Sequence, residues 1–176
     1  MTDTLTLAEL NEEGKSAYKR GDFLASAQAY QAAAQGYEAT GDRLTSAEMM
    51  NNASVAYLRA GDGEAALQAV EGTPEVFAEA QDTRRQAIAL GNLGAALEAL
   101  KRLDEAADAY QRSADLLGQA GEGDLRAHVL KSLSVLQLRR GDQMEAVATM
   151  QASLEPAGKS NIFSRLLKRP PKQAGS

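Results

Sequence analysis

The chain has no cysteine, no tryptophan, one histidine and only 4 prolines, and aromatic residues make up 5% of its 176 positions. Without thiols there is no disulfide, zinc–thiolate site, iron–sulfur cluster or cysteine nucleophile. Three of the prolines, Pro156, Pro170 and Pro171, lie beyond residue 155. Interior backbone donors are therefore almost all present, and the body can be helical nearly throughout. With so few aromatics the core must come from Ala, Leu, Val and Met, which suit closely packed helices. The first ten residues lack a basic stretch followed by an apolar one, so no secretory leader is read there. No window approaches the roughly 18 apolar residues of a membrane span. The expectation is a cytoplasmic protein.

Charge of one sign is also scarce where it would matter. Residues 1–158 hold 14 Lys+Arg against 24 Asp+Glu, whereas residues 159–176 hold 5 Lys+Arg and no acid. An acidic body is a poor match for a phosphate backbone, so nucleic acid is not an expected partner. The basic end is a separate electrostatic object.

What is present is a repeat. Gly21-Asp22, Gly61-Asp62, Lys101-Arg102 and Gly141-Asp142 recur in steps of 40 residues without a gap. Five residues after each anchor stands a small residue, Ser26, Ala66, Ala106 or Ala146. Nine after it stands a larger one, Tyr30, Val70, Tyr110 or Met150. Seven before it stands Gly14, Ser54, Gly94 or Ser134, and eleven before it Leu10, Met50, Leu90 or Leu130. Each unit reads as a first helix, a Gly-Asp-type turn and a second helix, over about residues 5–42, 43–82, 83–122 and 123–157. Glycine at the turn supplies the left-handed conformation that ends a helix. The small columns mark where the two helices cross closely, and the larger columns fill the space beside them. Thr6 with Glu9 and Thr83 with Gln86 have capping-box spacing. In the second unit Gly72-Thr73-Pro74 predicts a break, with Thr73 capping a short segment over 74–81. A plain antiparallel bundle is the alternative architecture, but a fixed period favours units that bury their faces on one another.

These units resemble tetratricopeptide repeats, in the 40-residue form typified by kinesin light chain and the Leu-Gly-Asn-repeat polarity adaptors. Unit 3 carries most of the likeness: Leu90-Gly91-Asn92-Leu93-Gly94-Ala95-Ala96, then Arg102-Leu103-Asp104-Glu105-Ala106 and Ala109-Tyr110. The resemblance covers about residues 5–157 and is specific for fold and weak for ligand. Unit 1 departs from it with Glu13 where a leucine is expected. The likeness implies an all-α, right-handed superhelix of four helix–turn–helix repeats. It also implies a scaffold or adaptor that binds a protein or peptide in a concave groove lined by the first helices.

The register gives the positions expected to face that groove. They are Asn11, Glu12, Lys15, Tyr18 and Lys19 in unit 1, and Asn51, Asn52, Val55, Leu58 and Arg59 in unit 2. Ile88, Gly91, Asn92, Ala95 and Glu98 follow in unit 3, and His128, Lys131, Ser132, Val135, Leu138 and Arg139 in unit 4. In similar repeats an asparagine in the column of Asn52 and Asn92 bonds the backbone of a bound peptide. The alternative is that these amides bond a neighbouring helix. Lys15, Lys19, Arg59, Lys131 and Arg139 lean the groove basic, which favours an acidic peptide. Cations in the last turn of a helix also favour its dipole, so that lean has a purely structural reading. The clamp with which some relatives hold a C-terminal carboxylate does not carry over, because its columns hold Asn11, Lys15, Asn52, Ile88 and Asn92.

No phosphate loop or metal-ligand cluster is read, and the one histidine, His128, has Asp124 four residues back as its nearest acid in sequence. The reading is a non-enzyme with no cofactor and no metal. Residues 160–169 read as a short amphipathic helix with Ile162, Phe163, Leu166 and Leu167 on one face and Arg165, Lys168 and Arg169 on the flank. That tail has three open readings: a cap on the repeat stack, a docking motif for another protein, or a contact with an anionic membrane surface. Self-association of the repeats into a homo-oligomer stays open beside the adaptor reading.

Overall fold

The computed structural model describes residues 6–155, which hold nine α-helices: α1 (Leu7–Arg20), α2 (Phe23–Ala39), α3 (Arg43–Ala60), α4 (Gly63–Val70), α5 (Thr73–Glu79), α6 (Thr83–Ala99), α7 (Leu103–Gln119), α8 (Gly123–Arg140) and α9 (Gln143–Leu154). Each unit pairs a first helix with a second: α1 with α2, α3 with α4 and α5, α6 with α7, and α8 with α9. Neighbouring units meet through α2 against α3, α4 and α5 against α6, and α7 against α8. This is an all-α repeat solenoid. The tail helix read over 160–169 lies outside the described residues.

The joints share one geometry, at half the period read from the sequence. Residues 21, 41, 61, 81, 101, 121 and 141 all take positive φ, from 58° at Gln81 to 91° at Gly141. The N–H of the next residue then donates to the carbonyl five residues back, as in Asp22 to Ala17, Asp62 to Tyr57 and Asp142 to Gln137. That bond satisfies a carbonyl the helix end leaves bare. Asp22, Asp42, Asp62 and Asp82 also accept from the backbone N–H three residues on, at 2.8–3.3 Å, and so cap the helix that follows.

Two expected caps are corrected by this arrangement. Thr6 and Glu9 do form a capping box, but α6 is capped by Asp82, and Thr83 is already its first residue. In unit 2 the cap is Gly72, at φ 79°, with Thr73 inside α5 and the helix ending at Glu79. The Thr73 hydroxyl donates instead to the Val70 carbonyl at 2.8 Å, across the break.

The small columns sit where the two helices of a unit cross. A Cβ on Gly14 would stand 2.8–3.0 Å from the Tyr30 ring, and one on Gly94 would stand 2.7–3.0 Å from the Tyr110 ring. Both rings are buried. The serines of these columns are equally enclosed, and two bond across the crossing: Ser26 Oγ donates to the Gly14 carbonyl at 2.7 Å and Ser134 Oγ to the Ala146 carbonyl at 2.8 Å, whereas Ser54 Oγ is buried without a partner. Around them lies a core made mostly of alanine, with Leu90, Leu97, Leu117, Leu130, Leu133 and Leu136 filling units 3 and 4. Where helix α4 breaks off, α5 carries Phe77 onto Ala47 and Ala89, so the interrupted second helix still fills its slot. Glu13 is exposed and pairs with Arg20 at 2.8 Å, as an outermost helix permits.

Two substitutions test these joints. Gly94→Ala is expected to lower unfolding free energy by about 1–3 kcal/mol, because the Tyr110 ring it would press on is buried and held at its hydroxyl by Glu98. Lys101→Gly is expected to raise it by about 0.5 kcal/mol, since Lys101 sits at φ 61°. Chemical denaturation of the two variants reads both.

Candidate functional site

Along the first helices α1, α3, α6 and α8 one side-chain contact recurs at an offset of 41 residues, beside the Arg85–Glu48 ion pair at 3.2 Å between α6 and α3. The Arg59 guanidinium lies 6.0 Å from the centre of the Tyr18 ring and 4.7 Å from that of Phe23. Asn92 Nδ2 donates to Asn51 Oδ1 at 3.0 Å. Arg139 Nη1 donates to Glu98 Oε1 at 2.6 Å. Each first helix therefore holds the preceding one through a polar or cation–π contact on the same wall.

These contacts use groups that the sequence assigned to a ligand. Asn51 is corrected: it is 7% exposed and does not face open solvent. Its Nδ2 donates to the Thr73 hydroxyl at 2.9 Å and to the Ala47 carbonyl at 3.3 Å. A polar thread thus runs from Asn92 through Asn51 and Thr73 to Val70, joining the wall to the helix break of unit 2. Asn92 is half-buried with one amide proton already committed to α3, as in the neighbouring-helix reading. Asn52 is half-buried as well. The 41-residue offset aligns it with Asn11, whose Oδ1 is buried and without a partner.

The basic lean is also reduced. Lys15 Nζ lies 2.7 Å from Glu12, Arg139 is held by Glu98, and Arg59 covers the Tyr18–Phe23 pair. Lys131 is exposed, with no ion pair among those the described residues form. Glu98 also accepts from the Tyr110 hydroxyl at 3.0 Å. Burial first, and then the Glu98 carboxylate, pushes the Tyr110 phenol far above its ordinary range, so it stays a neutral donor. Glu98, which the sequence placed among the groove positions, is instead an anchor that holds Tyr110 and Arg139. Its signal was an acid standing in the column of Tyr18, Leu58 and Leu138.

Between the exposed charges of the wall, Lys15, Lys19, Arg59, Lys131 and Arg139 among them, run two apolar columns. Val55, Ala95 and Val135 share one column, and Leu58 and Leu138 another. Val55, Leu58 and Ala95 are half-buried, as is Ile88, whereas Val135 is 43% and Leu138 53% exposed. His128 is exposed on α8. Among the described residues no group of three or more His, Cys, Asp or Glu is placed to hold a metal ion, and no helix is long and apolar enough to cross a membrane.

Two family profiles, both described as tetratricopeptide repeat, match residues 11–74 and 85–155. The chain belongs to the tetratricopeptide repeat family. The two matches leave residues 75–84 between them, most of α5 and the start of α6, and together reach into all four units. Comparison with curated proteins gives no match. Tetratricopeptide repeats generally mediate protein–protein interactions and are typically non-enzymatic scaffolds.

The polar thread makes a stability prediction. Asn51→Ala is expected to cost about 1–3 kcal/mol, because it removes the donor to the buried Thr73 hydroxyl and the acceptor of the Asn92 amide. Asn52→Ala is expected to cost less than about 0.5 kcal/mol. A double-mutant cycle over Asn51 and Asn92 should return about 1 kcal/mol of coupling in chemical denaturation.

Proposed function

We propose that this tetratricopeptide repeat protein is an interaction scaffold that seats an extended peptide or a partner helix against the wall of first helices. The observation that carries the reading is the exposure of Val135 and Leu138, in columns continuous with half-buried Val55, Leu58 and Ala95. Apolar side chains aligned along one wall supply the adhesive area of a peptide site, while nearby polar groups fix orientation. Asn52 is the amide for a partner's backbone, and Asn92 adds its carbonyl and remaining amide proton. Ile88 lines the same surface. Lys131 gives the charge complementarity, with Lys15, Arg59 and Arg139 contributing less because each already has an internal partner. The protein acts by presenting a surface, with no reaction and no cofactor. A cytoplasmic location fits this role.

Selection from a random peptide display library, followed by binding assays, tests the site. Enriched peptides should carry apolar residues with an acid nearby and should lose at least about tenfold in affinity against Val135→Asp/Leu138→Asp, that is about 1.4 kcal/mol. Failure to enrich any peptide, or equal binding to the variant, contradicts the proposal.

A further inference from the structure

In the first three units two columns of the second helix are closed. Tyr30, Val70 and Tyr110, the column that fills the crossing within a unit, are 6%, 0% and 5% exposed, and Ala34 and Ala114, in the column that meets the next first helix at Ser46, are 2% and 1% exposed. The same columns in unit 4 hold Met150 and Leu154, at 36% and 73%. Met144 is different: its column includes Leu24, 52% exposed within an intact unit, so its exposure is ordinary. Met150 and Leu154 are therefore uncovered because no described helix follows α9.

We infer that the segment 160–169 of this chain docks on α9 over Met150 and Leu154, in the place of a fifth first helix. First helices begin at Arg43, Thr83 and Gly123, so the next in register begins at residue 163. That register puts Leu166 in the column of Ser46 and Arg126. Both of those reach back onto the preceding second helix: Ser46 Oγ donates to the Ala34 carbonyl at 3.0 Å, and the Arg126 side chain lies against Gly118. Leu166 thus corresponds to Ser46, and Leu154 to Ala34. Ile162 and Phe163 precede Leu166 on the same apolar face, and Arg165, Lys168 and Arg169 flank it. The connection is long enough. Eight residues separate Leu154 from residue 163, a reach of roughly 25 Å, where intact units join second to first helix through three residues. A second copy of the chain fits this face less well. The outer helix at the opposite end, α1, offers Glu9, Glu12 and Glu13, all exposed, rather than an apolar surface.

The absence of cysteine makes a clean test possible in the full chain. Leu154→Cys/Leu166→Cys is oxidised and compared with Leu154→Cys/Ala174→Cys. The inference expects an intramolecular disulfide in the monomer, formed at least about tenfold faster than in the control pair. Cross-linked dimers in its place assign the face to a second copy and overturn the inference, as does a rate equal to the control. Phe163→Asp/Leu166→Asp supplies the second reading, with Tm expected to fall by roughly 3 °C. An unchanged Tm together with lost flotation on vesicles of anionic phospholipid assigns the segment to a membrane surface and also overturns it. Neither readout involves the wall of first helices.

Discussion

The structure depends on how closely two helices approach within each unit. At Gly14 over Tyr30 and Gly94 over Tyr110 the backbone of one helix rests on a ring carried by the other, with no room for a methyl group between them. Ser26 and Ser134 tie the same crossings by hydrogen bonds to the opposite backbone. With the axes this close, alanine is large enough to fill most of the core, and few aromatics are needed. A left-handed residue at every twentieth position, from 21 to 141, turns the chain from one helix to the next. The stack is the consequence of repeating one short joint.

A constant joint produces a constant offset along the wall of first helices. It brings Arg59 to Tyr18, Asn92 to Asn51 and Arg139 to Glu98. These contacts stitch unit to unit and draw inward several groups that a free helix would offer to solvent. Exposed ion pairs such as Lys15 with Glu12 contribute little stability, because solvent screens them. Their larger effect is on recognition, because a cation already facing a carboxylate has less to give to an acidic ligand. The surface that results offers fewer unpaired cations than its composition implies.

The fold was legible because its determinants are local and recur. Glycine and serine at 14, 54, 94 and 134, with bulk at 30, 70 and 110, express a crossing directly in sequence. The half-period was hidden by Gln81 and Lys101, which take the left-handed conformation without being glycine. The site was less legible because it depends on contacts between units. Asn51 and Asn52 differ by one helical step of about 100°, and which of them is buried is decided by Thr73 and Asn92, 22 and 41 residues away. The cap of α6 fell to Asp82 rather than Thr83 because the left-handed joint at Gln81 fixes which residue comes half outside the helix. The pairing of Arg139 with Glu98 crosses a unit boundary and leaves no mark at short range.

The close crossing can be measured in solution through the ring current of the two tyrosines. The account predicts that the α-proton resonances of Gly14 and Gly94 are displaced from ordinary helical positions, and that Tyr30→Leu and Tyr110→Leu each return only the glycine of their own unit. Ordinary positions for both glycines in the unsubstituted protein would contradict the crossing and, with it, the stack built upon it.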